Sequence, residues 1–531
     1  MIRPRLLPLA LPLSFLLAVA GAPARAADPA PVEVEEATLA TLQQAMASGR
    51  TTSRAVVQAH LDRIARLDAP LRSIVELNPD ALSIADGLDR ERWDGRVRGP
   101  LHGIPVVLKD NVSTGDRMET TAGSLALAGN HAPRDAFLVE RLRAAGAVIL
   151  GKANLSEWAN IRSTHSSSGW SARGGQTRNP YALDRSPCGS SSGTATAVAA
   201  SLAVVGVGTE TDGSIVCPSG ATGLVGLKPT VGLVSRSGIV PISMSQDTAG
   251  PMARTVADAA ILLGALTGVD PADPATGRSA GKAPADYSRF LDPDGLRGAR
   301  IGVVRKKVYG ESPPADRIFD AAVAEMRRQG AVIVDPADIP HLGEYDDAEL
   351  EVLLHELKAG LDAFLPRWAP GARVQSLAEV IAFDEAHAAE EMPYFGQELF
   401  VKAQAKGPLT TPAYRKALAR CGRLSRQEGL DKAFARNRLD ALVAPTGGPA
   451  WTIDLVNGDH FSQGSSTPAA VAGYPSITVP AGLAFGLPVG VSFIGKPWSE
   501  GVLLRLAYAF EQATRARRTP AFRPTADLSG R

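Results

Sequence analysis

The chain has 531 residues, 45% of them hydrophobic, 21% charged and 5% aromatic, with 56 Lys+Arg against 55 Asp+Glu. Such a composition excludes a disordered or fibrous chain. A net charge of +1 excludes the basic face that a nucleic-acid binder needs to displace counterions from phosphates.

Residues 1–26 have the parts of a secretory signal peptide. Arg3 and Arg5 open it, Leu6 to Ala20 is an apolar run, and Ala24-Arg25-Ala26 is a small-x-small cleavage site. The run is short for a membrane-spanning helix and is interrupted by Pro8 and Pro12, which favours export over an N-terminal anchor. Without this segment 53 basic and 55 acidic residues remain. The expectation is an exported, periplasmic chain, a single domain over 27–531, with no nucleic-acid partner and no stable membrane association. Three cysteines are too few for a disulfide scaffold.

Two helical patterns come first, on Leu39, Leu42 and Met46 and then on Val56, Val57, His60, Leu61, Ile64 and Leu67, both at three-to-four spacing. Thr51, Thr52 or Ser53 can cap the second, and His60 falls on its apolar face, as a core residue does. Ile104 to Leu108 reads as a buried strand. Asp135 to Ala145 reads as a helix stopped by Gly146, Ala147 to Leu150 as a strand, and Asn154 as the cap of a helix through Trp158. The rhythm returns with strand Arg300–Val304, helix Pro313–Gln329 and strand Ala331–Val334. Residues 344–440 are helical and charged, with no strong strand. Strand patterns resume at Ala441–Val443, Ile477–Val479 and Val489–Phe493, and Val502–Ala513 is a closing helix. Strand, helix, strand at this spacing predicts an α/β fold: a large mixed, mostly parallel β-sheet covered by helices on both faces. The 344–440 region is then a helical insertion, placed as an active-site cover.

The chemistry is concentrated in SPCGSSSGTATAVAA (Ser186–Ala200) and GTETDGSIVCPSG (Gly208–Gly220). Glycines beside serines permit tight turns in which successive N–H groups point at one spot, the raw material of an oxyanion hole. A flexible Ser/Gly linker is the competing reading, but the stretch runs straight into the apolar Ala195–Val207, which must be buried. Gly189-Ser190-Ser191-Ser192-Gly193 also fits a G-x-S-x-G elbow with Ser191 as nucleophile, except that no strand precedes it. A serine needs a base. No histidine stands in a triad context, although His102 adjoins a strong strand. Lys109 closes LHGIPVVLKD (Leu101–Asp110) at the end of a buried strand, where burial lowers a lysine pKa. A shift from about 10.4 to about 7–8 corresponds to roughly 3–5 kcal/mol against the ammonium form. The S-x-x-K at Ser279–Lys282 lies in a Pro/Gly-rich loop without a K-T-G and reads as coincidence.

LHGIPVVLKD, GSSSG and GTETDGSIV in this order resemble the amidase signature family of serine hydrolases. GAVILGKANLSEWA (Gly146–Ala159), GLVGLKPTVGLVSRSGIVP (Gly223–Pro241) and DTAGPMARTVAD (Asp247–Asp258) resemble it as well. The likeness runs from about residue 34 to 520 and is densest over 97–265. It implies Lys109 as catalytic base, Ser190 on a cis peptide as bridging serine and Ser214 as nucleophile. The N–H groups of Thr211, Asp212, Gly213 and Ser214 match the oxyanion hole, and Ser191 a supporting hydrogen-bonding position. No metal or organic cofactor is implied. The expected reaction is hydrolysis of a carboxamide to acid and ammonia through an acyl-enzyme.

Many members have a glycine at position 212 and an arginine after the nucleophile, whereas this chain has Asp212 and Ile215-Val216-Cys217. With SPCGSSSG and PYFGQELF (Pro393–Phe400) the variant resembles the peptide amidase branch, which removes C-terminal amides of peptides. An acid at 212 is expected to disfavour an anionic free C-terminus against a neutral carboxamide. A general small-molecule amidase, the glutaminase-type subunit of a tRNA-dependent amidotransferase and a catalytically idle periplasmic binding protein are the alternatives. Cys188 lies two residues before Ser190 and Cys217 three after Ser214. If the serines meet the cysteines are neighbours, as a disulfide or as two buried thiols. Gly447 to Thr467 and the insertion are expected to shape the pocket.

Overall fold

In the computed structural model the described residues are 32–529 together with Met1, Ile2 and Pro4. The apolar run and cleavage site of the expected signal peptide lie outside them. Among the described residues no helix is long and apolar enough to cross a membrane.

The strands are β1 (Ile74–Leu77), β2 (Pro105–Lys109), β3 (Val148–Ala153), β4 (Trp170–Ser171), β5 (Gly175–Gln176), β6 (Val205–Glu210), β7 (Val225–Lys228), β8 (Thr248–Ala253), β9 (Arg300–Val303), β10 (Val332–Val334), β11 (Ala441–Pro445), β12 (Ser476–Ala484) and β13 (Leu487–Ile494). Eleven of them form one sheet in the order β1-β3-β2-β6-β8-β7-β12-β13-β11-β9-β10, and β4 and β5 pair separately. The sheet is mixed. Its parallel pairings are β3-β2-β6 on one side and β11-β9-β10 on the other, and the centre from β6 to β11 is antiparallel throughout.

Alternation along β2 sorts the core into two layers. Val106 and Leu108 join an apolar layer with the helices Leu39–Ala47, Phe137–Ala144, Val256–Leu266, Pro313–Arg328 and Glu500–Thr514. Val107 points the other way, to Ser53–Leu71, Ala81–Trp93 and Ser192–Ala199. Helices therefore cover both faces, as expected. Thr52 caps its helix by accepting from the Ala55 N–H. His60 is fully buried, and burial followed by the neighbouring Arg254 presses its pKa to about 3, so it sits neutral in the core.

The expected helix from Asn154 through Trp158 does not form. The Asn154 side chain is committed elsewhere, donating to the carbonyls of Arg72 (3.3 Å) and Gly175 (3.0 Å) and to Thr177 Oγ1 (3.0 Å). Only a short 3₁₀ turn, Glu157–Asn160, follows, and its residues Trp158, Ala159 and Asn160 have φ of 49°, 54° and 76°. Left-handed backbone at three consecutive non-glycine residues is rare and excludes an α-helix. Within 344–440 the helices Asp346–Trp368, Leu377–Ala386, Ala388–Glu391, Glu398–Gln404, Pro412–Cys421 and Asp431–Asn437 appear without a strand. Three of them, Asp346–Trp368, Leu377–Ala386 and Glu398–Gln404, pack into a separate apolar cluster around Leu361, Leu365, Leu377 and Phe400.

Candidate active site

Because β2 and β6 are parallel neighbours, with Leu108 beside Val207, their carboxyl ends emerge at one edge of the sheet. Ligand sites in α/β sheets lie at such edges. Lys109 closes β2 there, fully buried, and its Nζ donates to Ser190 Oγ at 2.7 Å. Thr209, at the end of β6, supplies two more acceptors, Oγ1 at 2.9 Å and the carbonyl at 3.3 Å. Asn111 Nδ2 also donates to Thr209 Oγ1, at 3.0 Å. Burial brings the Lys109 amine down to about 7, against the opposing pull of the Asp247 and Glu210 carboxylates. Near neutrality a substantial fraction of the side chain is an uncharged amine, the form that can accept a proton.

Ser190 lies just before the helix Ser192–Ala199, and the Gly189–Ser190 peptide is cis, as the resemblance implies. Gly193 is required sterically: a Cβ there would strike the backbone of Ser73 and Asn154. Ser191 is buried and its hydroxyl donates to the Thr209 carbonyl at 3.1 Å and accepts from the Thr209 N–H at 3.2 Å. Held in this way it splices the serine turn to β6 and does not stand where a nucleophile would.

Ser214 follows the turn after β6, where Gly213 has φ +80°. The Ser191 N–H donates to the Ser214 carbonyl at 3.2 Å, and a Cys188–Cys217 disulfide with Cα atoms 6.0 Å apart joins the two segments. No hydrogen bond joins the Ser190 and Ser214 hydroxyls among the described residues, but both residues line one open cavity of about 560 Å³. The N–H groups of Thr211, Asp212, Gly213 and Ser214 meet no acceptor among the described residues, whereas those of Ile215 and Val216 are taken by Glu210 Oε2 at 2.7 and 3.0 Å. The turn is braced by Asp247, which accepts from Thr211 Oγ1 at 2.6 Å, and by Thr467, which donates to Asp212 Oδ2 at 2.7 Å.

Thr209, Asn111, Glu210 and Asp247 escape a reading of the sequence alone. Only the β2–β6 register shows that Thr209 reaches the lysine. The histidine candidate is elsewhere: His102 Nε2 faces the Leu88 carbonyl at 2.9 Å. Ser279 donates to the Thr276 carbonyl and Lys282 lies over Trp498, away from each other's chemistry.

The far wall comes from the regions expected to shape it. Leu353 of the insertion lines the cavity, with Trp451, Asn457, Asp459, Phe461, Ser466 and Thr467 from the 447–467 segment. Glu398 of the insertion accepts from the Thr164 N–H at 2.6 Å beside the same cavity.

A sequence model of the family described as Amidase matches residues 55–504. The chain belongs to the amidase family. It is 43% identical over 498 residues to a probable amidase of Arabidopsis thaliana, covering 92% of each. The solved peptide amidase of Stenotrophomonas maltophilia is 55% identical with a TM-score of 0.87, covering 92% of this chain and 99% of that one. A glutamyl-tRNA(Gln) amidotransferase component from Chloroflexus aurantiacus is 36% identical, covering 91% of this chain and 97% of that one. This amidase is therefore an α/β amide-hydrolysing enzyme.

The disulfide offers a direct check on how the site is held. It closes 29 residues, for which chain entropy predicts a contribution of about 3–4 kcal/mol. Cys188→Ala with Cys217→Ala should lower Tm by several degrees and reduce kcat as well as raise KM, because the bond both ties the two serine segments together and forms part of the cavity wall. Unfolding scans and steady-state kinetics with and without reductant check both.

Proposed function

We propose that this amidase removes ammonia from the C-terminal carboxamide of peptides, with Lys109, Ser190 and Ser214 as its catalytic residues. The observation that carries the mechanism is the water-excluded Lys109 amine, 2.7 Å from Ser190 Oγ at the edge of a cavity that Ser214 also lines. The likeness to peptide amidases over nine-tenths of the chain supports the substrate class.

Neutral Lys109 takes the Ser190 proton, and Ser190 takes that of Ser214 once the Ser214 hydroxyl turns toward it and attacks the amide carbon. The unpaired N–H groups at 211–214 stabilise the developing oxyanion. The proton returns through Ser190 to the nitrogen, ammonia leaves, and water activated by the same relay hydrolyses the acyl-enzyme. The 344–440 insertion covers one side of the cavity. Residues 1–26 direct export, so that the mature single domain works in the periplasm, where an oxidising milieu suits the Cys188–Cys217 bond.

Ammonia and free acid released together from an N-blocked dipeptide amide, measured against simple aliphatic amides and free glutamine, test the substrate class. Preference for the peptide amide supports the reading. Preference for glutamine transfers it to the amidotransferase alternative.

A further inference from the structure

Asp459 has no part in the reaction just derived, yet it stands in the wall of the same cavity as Ser190 and Ser214. Its position is built rather than incidental. The Ser168 N–H donates to both of its oxygens at 3.0 and 3.1 Å, the Ser168 hydroxyl donates to Oδ2 at 2.5 Å, and Trp451 Nε1 donates to Oδ1 at 3.0 Å. Donors of this kind favour the carboxylate form. Burial works the other way and lifts the Asp459 pKa above the ordinary aspartate value. Asp212 contributes a second carboxyl, held by Thr467; burial lifts its pKa too, against hydrogen bonds from Ser466 and Thr467 and the nearby Lys228 charge that favour the carboxylate. Among the described residues lining the cavity there is no lysine, arginine or histidine. His460, next to Asp459 in sequence, is turned to Asp454 at 3.1 Å.

We propose that Asp459 is a charge-selecting residue: with Asp212 it makes the cavity wall anionic, so that amides bearing a carboxylate close to the scissile bond are rejected and neutral or cationic ones admitted. The selection rests on the cavity being the amide site, as proposed above, and extends it from the scissile group to the acyl chain. A like charge in a partly desolvated cavity is costly, and a carboxylate on the substrate meets no lysine, arginine or histidine among the described lining residues. The same wall speeds departure of the acid product, which becomes anionic as the acyl-enzyme is hydrolysed.

The experiment compares kcat/KM for ammonia release from N-acetyl-glycyl-glutamyl amide, its neutral counterpart with methionine and its cationic counterpart with lysine. A second pair, succinamate and pentanamide, carries the same contrast without a peptide. The wild-type enzyme is expected to favour the neutral member of each pair by roughly tenfold or more, with the gap narrowing as salt is raised. Asp459→Asn should close much of the gap by raising turnover of the anionic member relative to the neutral one, and Tm with circular dichroism reports that the variant is folded. Equal turnover of anionic and neutral amides by the wild type, or a gap insensitive to salt, overturns the proposal. A gap that survives unchanged in active Asp459→Asn but closes in Asp212→Asn assigns the selection to Asp212 and overturns it for Asp459. If no peptide amide is cleaved but pentanamide is, the peptide-amide reading fails, and charge selection is decided on the small pair alone.

Discussion

Ser214→Ala is expected to lower ammonia release from every amide substrate on the order of 10³-fold or more, with little change in Tm. Nucleophile removal in serine hydrolases has effects of at least this size, because the remaining oxyanion donors cannot replace the covalent step. The substitution is structurally mild here. The Ser214 hydroxyl makes no hydrogen bond among the described residues and borders the cavity, so alanine leaves no buried partner unsatisfied. Ser190→Ala is the informative contrast. It removes the 2.7 Å acceptor of a fully buried amine and leaves that amine only Thr209, so it should cost stability as well as rate. The distinguishing measurement is trapping: a slow amide or an activated ester should add the mass of its acyl group to wild-type Ser214 and not to Ser214→Ala. An acyl group found on Ser190, or activity in Ser214→Ala within tenfold of wild type, would reverse the roles of the two serines.

The legible and illegible parts of this site divide along a physical line. Lys109 could be read because a charged residue ending an apolar strand is conspicuous, and a strand buried on both faces leaves its last side chain little water. The serine turns could be read because tight backbone geometry demands glycine. The two-layer covering of the sheet followed from strand and helix periodicities, but the antiparallel centre did not. Neither β7 nor β8 (VGLK and TAGPMA) has a pattern that reveals its direction, and only pairing partners distant in sequence fix it. Asn154 misled for a related reason. An asparagine before a short amphipathic stretch is a good cap, but its amide was claimed by carbonyls at Arg72 and Gly175 that no local window contains. Asp459 is the extreme case, since Ser168, which gives it three of its four hydrogen bonds, is 291 positions away.

Lys109→Met should depress kcat/KM by about 10²–10⁴-fold, the usual worth of a positioned general base, and should change how both activity and stability depend on pH. With the amine brought to about 7, wild-type kcat/KM should fall below roughly pH 7 as one proton is taken up, and the acid limb should be missing from whatever activity the methionine variant retains. The stability effect has a definite sign. The folded amine loses its proton through about 7, whereas the unfolded one keeps it up to the ordinary 10.5. Between those values the unfolded chain binds more protons, so Lys109 makes stability rise with pH across that window, and its full cost is present below it. Lys152 and Lys228, brought by burial to about 8, add slopes of the same sign from about 8 upward, but both remain in the variant. The difference between wild type and Lys109→Met therefore isolates one group: a slope of one proton that begins near 7, before the other two contribute. Denaturant unfolding at a series of pH values gives that difference directly. An acid limb that persists in Lys109→Met, or a stability difference that is flat from pH 7 to 10, would mean that the amine is charged in the folded enzyme and that another group serves as the base.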